Sequence, residues 1–179
     1  MELIVSDFDI KSHKKYFEVM KKYRDYAIIT LDDDTICTND LIELLYNSYI
    51  MNPNCIHAMC VHKIQMKNNK VLPYDNWLKE YTFEFNPSFY LFPLSGRGTL
   101  FPPDIFNISD ENLKEIYKCK NNVDIYLKYI SRKRNIKIIW VPNKFDFGLN
   151  QYKIKKSRAK EKNIHKKIDE RCLSIFQII

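Results

Sequence analysis

The sequence predicts an α/β fold: a mixed, mainly parallel sheet flanked by helices, followed by a basic C-terminal helix. Two observations carry this expectation. Short apolar runs of strand length, at 27–31 and 137–141, alternate with longer stretches whose apolar residues recur every three or four positions. The chain also has 179 residues, 45% hydrophobic and 14% aromatic, which is one domain's worth of core and too aromatic for a disordered chain.

Taken in order, residues 12–24 read as a basic amphipathic helix, with Tyr16, Phe17, Met20 and Tyr23 at helical spacing. Ala27-Ile28-Ile29-Thr30-Leu31 then reads as a buried parallel strand that stops at Asp32-Asp33-Asp34. A helix follows, with Thr38, Asn39 or Asp40 as cap, Glu43 completing a capping box, and Leu41, Leu44, Leu45 and Tyr49 as its stripe. It must end before Pro53. Residues 56–64 and 71–74 read as strands, joined with hairpin character through Lys67-Asn68-Asn69-Lys70. The stretch 75–103 is aromatic and irregular. Residues 113–117 and 123–133 read as helices and 137–141 as a strand closed by Pro142. The domain is expected over 1–150, and 151–179 as a basic helix with Ile164, Ile168, Cys172 and Ile175 along one side.

Charge is unevenly spread. Residues 1–127 hold 14 Lys/Arg against 18 Asp/Glu, whereas 128–179 hold 15 against 4. A basic end on an acidic body suggests contact with an anionic partner such as a membrane surface. Nucleic acid is not expected, because the aromatics lie mostly outside the basic region. No apolar run is long enough for a transmembrane helix, and no secretory leader is visible. Five scattered Cys without a CxxC pair argue against a disulfide framework or a zinc knuckle and suggest a reducing cytoplasm.

Three features suggest chemistry. In an extended segment Asp32 and Asp34 share a face, and like charges that close call for a cation. All-oxygen ligands select Mg²⁺ or Mn²⁺, ions that share their sphere with phosphates. Alternatively, the three carboxylates form an acidic turn before the next helix. Second, two of the three glycines sit at Gly96 and Gly98 in Ser95-Gly96-Arg97-Gly98-Thr99, where a positive φ or a close backbone approach is expected. Arg97 between them has reach toward an anionic or sugar ligand, although an ordinary tight turn explains the glycines as well. Third, Asp124 opens a helix after Asn121-Asn122-Val123, as a cap or as a functional carboxylate. The four His (13, 57, 62 and 165) show no metal-binding spacing, and His57 and His62 read as core or surface polar residues.

In order and spacing, Asp9-Ile10-Lys11-Ser12-His13-Lys14-Lys15-Tyr16, the 27–34 run, Pro73-Tyr74-Asp75-Asn76-Trp77, the 95–103 loop and Asn122-Val123-Asp124-Ile125-Tyr126-Leu127 resemble GT-A-type bacterial glycosyltransferases of surface-polysaccharide and lipopolysaccharide synthesis. The resemblance spans roughly residues 9–145. It implies a GT-A-like sheet lacking the usual N-terminal nucleotide-binding βαβ unit, and an exposed sheet edge that favours a homo-oligomer. It further implies transfer of a sugar from a nucleotide-diphosphate donor to a glycan or lipid-linked acceptor at the inner membrane face. Asp32 and Asp34 would hold Mn²⁺ or Mg²⁺, and Asp32, Asp33, Lys14, Gly96, Arg97 and Gly98 would line the donor. Asp124 would be the general base. Two other readings are a haloacid-dehalogenase-like phosphatase, with Asp32 as nucleophile and Asp34 as acid/base, and a non-catalytic basic module that binds membrane or nucleic acid.

Overall fold

The structure, a computed structural model, describes residues 2–35 and 37–142; the end of the expected 1–150 domain and the basic helix over 151–179 lie outside the described residues. A 3₁₀ turn, Lys11–Lys15, leads into helix α1 (Phe17–Lys22) and strand β1 (Ile28–Leu31). Helix α2 (Leu41–Met51), β2 (Ile56–Ala58), β3 (Val61–Lys63), β4 (Met66–Lys67) and β5 (Lys70–Val71) follow. Then come β6 (Leu91–Pro93), β7 (Arg97–Phe101), α3 (Leu113–Lys118), α4 (Val123–Lys133) and β8 (Ile138–Trp140). No helix among the described residues is long and apolar enough to cross a membrane.

The main sheet has the order β1-β7-β2-β8. It is mixed, as expected, but mainly antiparallel: β7 runs antiparallel to both β1 and β2, and only β2 and β8 are parallel. The expectation of a mainly parallel sheet is therefore corrected. So is that of a buried parallel strand at 27–31, because β1 is an edge strand with Leu31 40% exposed. An apolar run of strand length says nothing of strand direction.

Alternation along the strands assigns the two faces. Ile56, Ala58, Phe101, Ile138 and Trp140 face a large core with α1, α3 and α4, while Leu100 and Val141 meet Leu41 and Leu45 of α2 on the other side. The sheet thus lies between two helical layers. The 12–24 helix is shorter than expected and starts as a 3₁₀ turn. Asp40 occupies the cap position of α2 without a side-chain cap bond, so the expected capping box does not form. The 67–70 hairpin does form: Asn68 and Asn69 both take positive φ, 51° and 59°, as a two-residue turn matched to strand twist requires. His57 is buried between Ser48 Oγ (2.8 Å) and the Asn52 carbonyl (3.1 Å), a core histidine.

Candidate functional site

β1 and the loop before β7 are tied together where the acidic run begins. Asp32 donates its N–H to the Gly96 carbonyl (2.9 Å), Thr35 Oγ1 donates to the same carbonyl (2.9 Å), and Thr30 Oγ1 donates to the Ser95 carbonyl (2.6 Å). The Asp32 carboxylate lies so close over Gly96 that a Cβ there would stand 1.9 Å from Oδ2. Gly96 therefore serves close approach. Gly98 serves conformation: Thr30 pairs with Thr99 and Leu31 with Arg97, which leaves Gly98 as the extra residue of a bulge with φ +84°. It faces Leu41 and Met59.

Asp124 is the second carboxylate fixed by this loop. Its Oδ1 accepts from the Ser95 N–H (3.0 Å) and from Ser95 Oγ (2.5 Å), so it reaches across to the loop. Burial raises its pKa against the pull of these bonds and of Lys15, and Asp32 adds repulsion.

These groups line one cleft of about 890 Å³. Asp32, Gly96, Arg97 and Asp124 are in its wall, whereas Lys14, Asp33, Asp34 and Gly98 are not among its lining residues. Asp33 and Asp34 are exposed in the turn after β1. Lys15 takes the place expected of Lys14 and pairs with Asp32 Oδ1 at 2.5 Å. The 3₁₀ geometry explains the exchange: Ser12 and Lys15, three apart, eclipse one another and both line the cleft, while Lys14 is turned about 120° away.

The opposite wall escaped the sequence reading. Arg97 Nη1 pairs with Glu80 Oε1 (2.5 Å), and the Glu80 N–H donates to His62 Nδ1 (3.0 Å). That bond needs an unprotonated Nδ1, and burial keeps the His62 pKa down at about 4. Lys79 lies against the rings of Tyr74 and Trp77, and loss of hydration lowers its pKa to about 8. Tyr74 and Phe92 complete an aromatic side. Three cations (Lys15, Lys79, Arg97) thus meet three carboxylates (Asp32, Glu80, Asp124). Proximity to the Pro73-Tyr74-Asp75-Asn76-Trp77 motif was the one sequence signal for Lys79 and Glu80.

Among the described residues no three His, Cys, Asp or Glu side chains group closely enough to hold a metal ion by themselves. An ion shared with a ligand's phosphates needs only one or two protein carboxylates, and of the two expected ligands, Asp32 and Asp34, only Asp32 lines the cleft.

No family model, curated protein or solved structure matches the chain.

Proposed function

We propose that the chain is a nucleotide-sugar glycosyltransferase. The observation that supports this reading is the convergence of Asp32, the Ser95-Gly96-Arg97 loop and Asp124 on one cleft, although tens of residues separate them in sequence.

Lys15 and Arg97 bring positive charge to the donor diphosphate, and Asp32 would hold Mn²⁺ or Mg²⁺. When bound, such an ion supplies neutralisation of the departing nucleotide. Asp124, oriented through Oδ1 by Ser95, removes the proton of the acceptor hydroxyl. The acceptor oxygen forms the new bond to the anomeric carbon, the bond from that carbon to the diphosphate breaks, and its electron pair leaves on the diphosphate. The raised pKa of Asp124 makes it a stronger base than an ordinary carboxylate. The aromatic side, Tyr74 and Phe92, suits a sugar face.

Calorimetric titration of UDP, GDP and CDP, each with and without Mn²⁺, tests the reading. Metal-dependent binding of one nucleotide, lost in Asp32→Asn and kept in Asp124→Asn, is the expected result. Absence of binding by all three at millimolar concentration overturns it.

A further inference from the structure

We propose that the Tyr74 and Lys79 side of the cleft takes the sugar acceptor, and that this acceptor is a hexuronate, a pyranose carrying one carboxylate. The acceptor role rests on the transferase reading; the carboxylate subsite stands on its own.

Charge pairing selects the ligand. Of the three cations and three carboxylates that line the cleft, Lys15 pairs with Asp32 and Arg97 with Glu80. One charge of each sign is left over. Lys79 is in no ion pair among the described residues; its ammonium donates to the Tyr74 carbonyl at 2.5 Å and lies over the Tyr74 ring. These contacts take water from the ammonium and give it no counter-charge, so an anion that reaches it gains a charge-assisted hydrogen bond. Asp124 is the carboxylate left over. It spends Oδ1 on Ser95, and its Oδ2 accepts no hydrogen bond among the described residues. A free carboxylate oxygen is an acceptor only, so it calls for a proton donor.

A molecule set between the two must offer an anion at one end and a hydroxyl at the other. One unpaired ammonium balances one negative charge. That matches a carboxylate rather than a phosphate monoester, which carries about −1.5 to −2 at pH 7. A hexuronate holds its carboxylate and its hydroxyls on opposite edges of one ring. Tyr74 links the two ends, because its ring lies under the Lys79 ammonium and its hydroxyl senses the Asp124 charge. Burial, then that charge, raises the Tyr74 pKa to about 12, so the hydroxyl keeps its proton and has it to donate to a ring substituent. Lys15, Asp32 and Arg97 serve the donor diphosphate, which leaves Lys79 for the second substrate.

NMR titration of the full chain decides the matter, with methyl glucuronide and methyl galacturonide each set against the neutral methyl glycoside of the same sugar and against its 6-phosphate. One uronide should bind about tenfold or more tighter than its neutral and phosphorylated counterparts. Lys79→Met should erase that preference and Lys79→Arg should keep it; the side chain is exposed, so the fold is expected to survive both changes. Equal binding of uronide and neutral glycoside overturns the proposal, as does a preference that persists in Lys79→Met. Tighter binding of the phosphate overturns the carboxylate class, and binding of no glycoside overturns the subsite. Nucleotide titration keeps the two readings apart. Metal-dependent nucleotide binding without uronide selectivity refutes this inference alone, whereas uronide selectivity without nucleotide binding refutes the transferase and leaves the carboxylate subsite standing.

Discussion

Gly96→Ala separates the site from the fold. A Cβ at position 96 stands 1.9 Å from Asp32 Oδ2 and 2.3 Å from its Cγ, where ordinary carbon contact needs about 3.5 Å. The carboxylate must retreat by more than about 1 Å. It is the free end of a rotatable side chain, so it moves and the backbone stays. The φ of Gly96 is not in the left-handed region, and alanine there gains about 0.4–1 kcal/mol by restricting the unfolded chain. Against this stands the Lys15–Asp32 pair, whose carboxylate is 45% exposed, worth about 0–1 kcal/mol. The two contributions nearly cancel, so the thermal midpoint should shift by no more than about 4 °C. A displacement near 1 Å costs on the order of 10²-fold in positioned chemistry. Calorimetry with the nucleotide diphosphate and Mn²⁺, alongside thermal unfolding, should therefore show binding weakened at least about tenfold with the midpoint nearly constant. Gly98→Ala is the reciprocal control. At φ +84°, with a Cβ 3.0 Å from Leu41 Cδ1 and from Met59 Cγ, it should cost about 1–3 kcal/mol of stability and leave the Asp32 carboxylate in place. Wild-type affinity in Gly96→Ala, or a loss of stability matching that of Gly98→Ala, would refute the reasoning.

Lys15→Ala should weaken nucleotide binding, whereas Lys14→Ala, on an exposed residue outside the cleft lining, should not; the same titration reads both. Because burial raises the Asp124 pKa, transfer should begin to fail on acidification at a higher pH than an ordinary carboxylate would give, and Asp124→Asn should abolish transfer while sparing nucleotide affinity. His13, His57 and His62 are held by burial at pKa values of about 4, against 6.5 when unfolded. The unfolded chain therefore binds protons first, and stability should be unaffected above pH 6.5 and fall from there toward pH 4. Urea midpoints against pH should show roughly 3 kcal/mol lost per histidine. Lys128 is fully buried, donates to the Phe89 carbonyl at 2.5 Å, and is lowered by burial to a pKa of about 7. Stability should therefore climb as pH rises from 7 toward 10, and Lys128→Met should remove that slope in the same urea series.

Local rules made much of the chain legible. The Asn68-Asn69 turn, α2 and α4 each follow from a signal contained within about a dozen residues. Asp32, Gly96, Arg97 and Asp124 were legible as well, because an acidic run at a strand end and rare glycines are local anomalies. The wall formed by Lys79, Glu80 and His62 was not. Glu80 reaches its place through a positive φ of 48° and is fixed by His62, eighteen residues earlier, and by Arg97, seventeen later. No periodicity records contacts of that range. Lys14 came from the resemblance alone, and the 3₁₀ turn over 11–15 puts Lys15, three residues after Ser12, at the cleft instead.

Strand direction has a further consequence for the cleft. Asp32 follows the C-terminal end of β1, and the Ser95-Gly96 loop precedes the N-terminal end of β7. Only antiparallel pairing puts those two ends side by side, as Leu31 opposite Arg97 does. Had β7 run parallel to β1, the loop would lie a strand length away, about 13 Å over four residues. Asp124, which depends on Ser95 for its orientation, would then be separated from Asp32 as well. The sheet direction that departs from expectation is thus what makes the expected residues neighbours. The bulge at Gly98 adds to this by setting the register at which Arg97 meets Leu31.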